Sequence, residues 1–328
     1  AEYGCLYILK NCRIMNGLLA FLNYHSVVGE NGRVNIGSGH KVPGYWAALA
    51  AYCRANEISY SDIDFANEKL ESYSSAIALE HAISGKDGYS YERKNSGRNY
   101  SELVVLDNQD NTDKATRAIN SCIRDIFEQN SLPDFVNDLC DVVGDLHDNV
   151  WSHGKSTGLS MAQKWSSYKD SEHQFFEFAL ADCGLGFFNE LKRTNIIKVA
   201  DDKEAIEWCV QEGNSSKKKD SIRDWDQRLP QDIMNNPMLN IGRPVMSENN
   251  HMGLGLAKLL NLVNNYDGQL WLASGSDVLI INNGEKSFYS PVRGWKGLAL
   301  ACRFDTKKVN NYKKSDDEDI TSLIHLLE

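Results

Sequence analysis

The stretch DLHDN at 145–149 lies within a segment, 134–153, in which Phe135, Leu139, Val142, Val143, Leu146 and Val150 keep the spacing of one helix face. Residues four apart on a helix share a face, so Asp145 and Asn149 can converge on a metal ion as a carboxylate beside a carboxamide. Both flank the apolar stripe, which points them toward a cavity beside the core. Ser131-Leu132-Pro133-Asp134 reads as a cap with proline in the first turn, and Gly154 can close the helix. Gly144, in the middle, costs about 1 kcal/mol relative to alanine but leaves room for something packed close.

Two glycine pairs lie downstream. DCGLG at 182–186 follows the apolar strand 174–181 (QFFEFALA), itself preceded by a strand at 158–168. GLGLAK at 253–258 opens a helix over 254–265 that ends before Asp267-Gly268. At such places a missing Cβ lets main-chain N–H groups approach a base or a phosphate. Three further apolar strands, 269–273, 277–281 and 298–304, follow, with Asn283-Gly284 as a hairpin signal. Upstream, Ala115, Ile119, Ile123 and Phe127 mark an amphipathic helix over 113–130. The polar segment 187–252, with one helix near 202–211, reads as a lid.

In this order, the three segments resemble the N, G1 and G2 boxes of the GHKL superfamily of ATPases and kinases. The resemblance implies a Bergerat-type domain, with ATP and Mg²⁺ as cofactors. Asp182 would accept a hydrogen bond from the adenine amino group, with Gly184 and Gly186 passing beneath the base. An ionised carboxylate accepts but cannot donate, which disfavours guanine. Asn149 would offer its amide oxygen to Mg²⁺, a hard cation that prefers oxygen ligands. Gly253, Leu254 and Gly255 would present main-chain N–H groups to the phosphates at a helix start, where the dipole favours anions. His153, His251 and Lys258 are accessory phosphate contacts or else ordinary helix-end and solvent-facing side chains. Asp145 occupies the place where hydrolytic members carry a water-activating glutamate. It is one methylene shorter, so slow turnover is expected. His147 faces another side of the helix and reads as structural.

The expected fold class is α/β (α+β): a two-layer α/β sandwich with a mixed, mainly antiparallel sheet over 111–306, preceded by a smaller α/β regulatory domain over 1–110. In the latter, 32–37 alternates like a strand, and 45–58 and 64–84 have helical spacing. This order is faintly similar to STAS-type domains, with Ser38 in the loop where a phosphoacceptor would lie; an ordinary turn serine fits that position too. The tail 307–328 is charged and ends in Ile320, Leu323, Ile324 and Leu327 at helical spacing, either a docking helix or the last helix of the fold.

With 42% hydrophobic and 24% charged residues the composition is that of a globular chain, and no apolar run approaches a membrane span. Lys10 and Arg13 interrupt the first apolar stretch, which argues against a signal peptide. A cytoplasmic location is expected. A net charge of −10 argues against a general nucleic-acid surface, and Lys217–Lys219, the tight basic run, reads as a solvated loop. The eight cysteines contain no C-x-x-C pair and the eight histidines no H-E-x-x-H, so no protein-held zinc is indicated. GKST at 154–157 ends like a P-loop, but the leading glycine would have to stand at 149, which is asparagine, and a helix precedes it. Neither glycine pair completes G-x-G-x-x-G, since Asn189 and Lys258 occupy the third positions.

No histidine sits in a phosphoacceptor context, and too little chain follows 265 for a clamp transducer domain. The reading that remains is a Mg-dependent ATPase or protein Ser/Thr kinase of the histidine-kinase or anti-sigma-kinase type in a bacterial regulatory system. The alternative is an ATP-sensing, nucleotide-gated interaction module in a stress or phage-defence assembly. Either use implies a protein partner and leaves oligomeric state open.

Overall fold

The computed structural model describes residues 17–23, 32–127, 132–154, 157–166, 173–214 and 254–312. Its N-terminal part is built from short elements around one long helix. These are α1 (Gly17–Leu22), β1 (Val34–Ile36), α2 (Pro43–Ala55), β2 (Ile63–Phe65), α3 (Glu68–Ala76) and α4 (Leu79–Ser84). Strands β1 and β2 form a separate parallel pair. The single helix expected over 64–84 is broken for two local reasons. The Asn67 side chain accepts from the Leu70 amide and starts α3 only there, and Ala78 adopts a left-handed conformation, φ 61°, that ends one helix before the next.

A seven-stranded sheet follows: β3 (Val104–Leu106), β4 (Gly158–Ser166), β5 (Gln174–Asp182), β6 (Gln269–Gly275), β7 (Asp277–Asn282), β8 (Glu285–Tyr289) and β9 (Trp295–Asp305). Their spatial order is β3-β4-β5-β9-β6-β7-β8, with the last strand inserted at the centre. Every pairing in this sheet is antiparallel, so the expected mixed character is absent from it.

Alternation along the strands builds two cores. On β5, Phe176, Phe178 and Leu180 turn to one face and Ala179 and Ala181 to the other; on β9, Leu300, Cys302 and Phe304 oppose Ala299 and Ala301. The first face is covered by α5 (Gln109–Ile126), α6 (Pro133–Gly154) and α9 (Leu254–Asn265). Asn108 caps α5 by accepting from the Asn111 amide, and Ala115, Ile119, Ile123 and Ile126 form its buried stripe. On α6 the stripe is Phe135, Leu139, Val142, Val143, Leu146 and Val150, all buried, as its spacing requires. Two shorter helices, α7 (Gly186–Thr194) and α8 (Asp202–Cys209), occupy the first part of the expected lid; its remainder, 215–252, lies outside the described residues. A final turn, α10 (Thr306–Asn310), follows β9, and the expected helical patch 320–327 also lies outside them.

The second face is covered as well. Helix α2 packs on it with α1 and α4, and residues from 18–103 share one buried cluster with Leu159, Met161, Trp271 and Ala301 of the sheet. The N-terminal elements therefore add a layer to the sheet and the helices of 111–306. The boundary expected at 110 falls after β3, which is itself a strand of the large sheet, so the two expected units share one sheet. Among the described residues, no helix is long and apolar enough to cross a membrane.

Candidate functional site

The first and third segments meet on the second half of α6, and the second lies one strand away from it. Asp145 is 6% exposed there, deep for a carboxylate. The start of α9 crosses it so closely that a Cβ added to Gly255 would lie 3.0 Å from the Asp145 Cβ. A side chain at 255 would require α9 or Asp145 to give by a few tenths of an ångström, so glycine here suits the close approach of the first and third segments.

The second segment reaches the same helix through β4. Asp182, the last residue of β5, is paired with Gly158, the first of β4. A Cβ on Gly158 would lie 2.6 Å from a methyl of Val150, the residue after Asn149 on α6. Asp182 is thus held one strand away from the helix turn that carries Asn149.

The Asp182 turn has a rigid support. Its Oδ1 accepts from the Gly184 amide at 2.7 Å, which fixes the carboxylate against its own loop. The Trp295 indole donates to the Asp182 carbonyl at 2.8 Å, and the Phe187 amide at the start of α7 donates to Ser274 Oγ at 3.0 Å. Gly297 has φ +104°, and a Cβ there would lie 2.4 Å from the Asp182 carbonyl and 2.6 Å from the Gly184 amide, so only glycine lets β9 pass under the turn. Beside the turn opens a cleft of about 230 Å³ lined by Gly186, Asn189, Asp202, Ser274, Trp295 and Gly297.

Trp295, Ser274 and Gly297 were not legible as site residues from the sequence. The signal available was Gly294-Trp295-Lys296-Gly297 ahead of the strand expected at 298, which begins instead at Trp295.

Two neighbours have settled chemistry. His147 is fully buried, its Nδ1 2.9 Å from Thr116 Oγ1 and its Nε2 2.9 Å from Ser160 Oγ. Burial pushes its pKa down to about 3, so the imidazole is neutral and tethers α6 to α5 and β4. The Cys183 thiol is pushed up to about 12 by burial first and by Asp182 second, which makes it a poor nucleophile at neutral pH.

Of the remaining expected residues, Asn149 is half-buried on α6, and Lys258 is exposed one turn into α9. His251 and Gly253 lie outside the described residues, as do the side chains of His153 and Leu254. Among the described residues, no group of three or more His, Cys, Asp and Glu side chains converges as a metal cluster. No family model matches the chain, and neither a curated protein nor a solved structure matches it significantly.

Proposed function

We propose that the chain binds Mg-ATP in the manner of the GHKL superfamily, at the junction of α6, the Asp182 turn and the start of α9. The observation that carries this reading is the close crossing of Gly255 over Asp145, with Asp182 held one strand away from the neighbouring turn of α6. Three segments separated by tens of residues share one neighbourhood, and each brings the group the chemistry needs. Asn149 supplies an oxygen suited to Mg²⁺, and Asp182 supplies an acceptor for the adenine amino group. The α9 start supplies main-chain N–H groups at the positive end of a helix dipole.

The residues fit such a ligand in two respects. Asp182 is held against its own loop by the Gly184 amide, and each carboxylate oxygen can accept more than one hydrogen bond. Gly297 keeps a side chain out of the place where β9 meets the backbone of the Asp182 turn, and Gly255 lets α9 approach Asp145 closely. Bound Mg-ATP would supply a phosphoryl group activated by charge neutralisation; the protein's part is to hold and orient it.

A second reading, a nucleotide-gated interaction module with little hydrolysis, draws on Asp145. A short carboxylate packed beneath Gly255 has little reach toward an attacking water. Phosphate release from ATP and Mg²⁺ that is lost in Asp145→Ala favours the enzyme, and binding without release favours the module. The test of the site itself is nucleotide selectivity. Asp182→Asn should weaken ATP binding by roughly tenfold or more, the scale of a lost hydrogen bond to a charged group, and narrow the preference over GTP. Unchanged ATP affinity in that variant removes Asp182 from the site.

A further inference from the structure

A second cavity, of about 350 Å³, opens on the other side of the sheet, between the loop before α2 and the first turns of α3. Its lining includes His40, Lys41, Asn67, Lys69, Leu70 and Tyr73 and contains no carboxylate. Lys41 is only 9% exposed, yet its ammonium has a carbonyl and an aromatic ring for company. It donates to the Ser38 carbonyl at 3.2 Å and lies 5.3 Å from the centre of the Tyr45 ring. Among the described residues, no carboxylate comes within 4.0 Å of Lys41 or Lys69.

A buried ammonium without a counter-ion is costly, and burial accordingly lowers the Lys41 pKa. The acids nearby are engaged or directed elsewhere. Glu177 is held by Arg303 and by the Gly44 amide, while Glu68 and Glu71 in the first turn of α3 do not line the cavity. The walls are firm. Trp46 Nε1 donates to the Lys41 carbonyl at 3.1 Å, Tyr73 donates its hydroxyl to Gln163 of β4, and Asn67 caps α3.

We propose that this cavity is a binding site for a phosphate monoester. Two lysines from different elements match the charge of a phosphate dianion, and Leu70 and Tyr73 offer an apolar wall to the esterified group. The site is independent of the nucleotide reading: it belongs to the layer built by α2 and α3, whereas Asp145, Asn149 and Gly255 belong to α6 and α9.

The test titrates phenyl phosphate into the full chain, following amide chemical shifts and binding heat together. The expected result is saturable binding with shifts at residues 38–42 and 67–73. Lys69→Gln, at an exposed position where folding is not at stake, should weaken binding by about ten- to a hundredfold, and Lys41→Met should do the same. Shifts at Gly184 and Gly255 instead, affinity unchanged in Lys69→Gln, or no saturable binding at all would each overturn the proposal.

Discussion

On its first face the sheet offers Phe176, Phe178, Leu180, Leu300 and Phe304 to α5, α6 and α9; on its second, the same strands offer Ala179, Ala181, Ala299 and Ala301 to α2. Large side chains fill the space between the strands and the first helix layer, at whose rim the candidate nucleotide site lies. Small ones let α2 settle close to the strands. The second face also holds a charge pair. Arg303 donates from Nε and Nη2 to Glu177 Oε2 at 2.9 and 2.8 Å, and both residues are 1% exposed or less. The guanidinium lies near the rings of Trp165 and Trp271, at 4.7 and 5.0 Å from their centres, and Glu177 Oε1 accepts from the Gly44 amide at the start of α2. On the first face a fully buried polar group, His147, is instead uncharged and joined to hydroxyls. One face fixes its helix with a charge and the other with a neutral relay, and the two should fail under different conditions.

The largest effect is expected on the second face. Glu177→Gln or Arg303→Met leaves one buried charge without its partner and should cost about 3–5 kcal/mol, read from urea unfolding. Replacing both by apolar residues should cost much less than the sum. A cost near zero for each single change would mean that the pair does not anchor α2.

Acid should find the first face. The His147 pKa is depressed in the folded chain to about 3, from an ordinary 6.5, so its contribution is complete above the ordinary value and lost as pH falls toward the folded one. Stability should therefore drop by about 2 kcal/mol from pH 6.5 to pH ~4.5 through this group. His147→Leu should flatten that part of the profile. An identical slope in the variant would assign the acid sensitivity to other groups.

Much of the first face was legible in the sequence. Helices α5, α6 and α9 and the strands flanking them follow from long runs of apolar periodicity, and the approach of Gly255 to Asp145 was expected only through the resemblance of the three segments to the GHKL boxes. The second face was not legible as part of the same sheet. Its strands read as continuous apolar runs, which fit a sheet covered on one face or on both, and α2 is apolar nearly all round, which does not say what it packs against. Glu177 lies inside such a run, and only tertiary contact reveals its partner 126 residues away. Helix α7 and strand β8 were missed for the opposite reason: GFFNELKRT and EKSFY are short and polar enough to pass for loop. The Asp182 support needed the insertion of β9 between β5 and β6, a crossover that local pattern does not encode.

Asn149→Ala should have the smallest effect on folding, within about 0.5 kcal/mol, because the side chain is half-buried and outside the apolar stripe of α6. That makes it the cleanest probe of the proposed site. The decisive measurement is a calorimetric titration of a non-hydrolysable ATP analogue into the wild-type chain and Asn149→Ala, with and without Mg²⁺. The account predicts binding that Mg²⁺ strengthens in the wild type and does not strengthen in the variant. Equal Mg²⁺-dependent affinity in both, or no binding to the wild type, would contradict it.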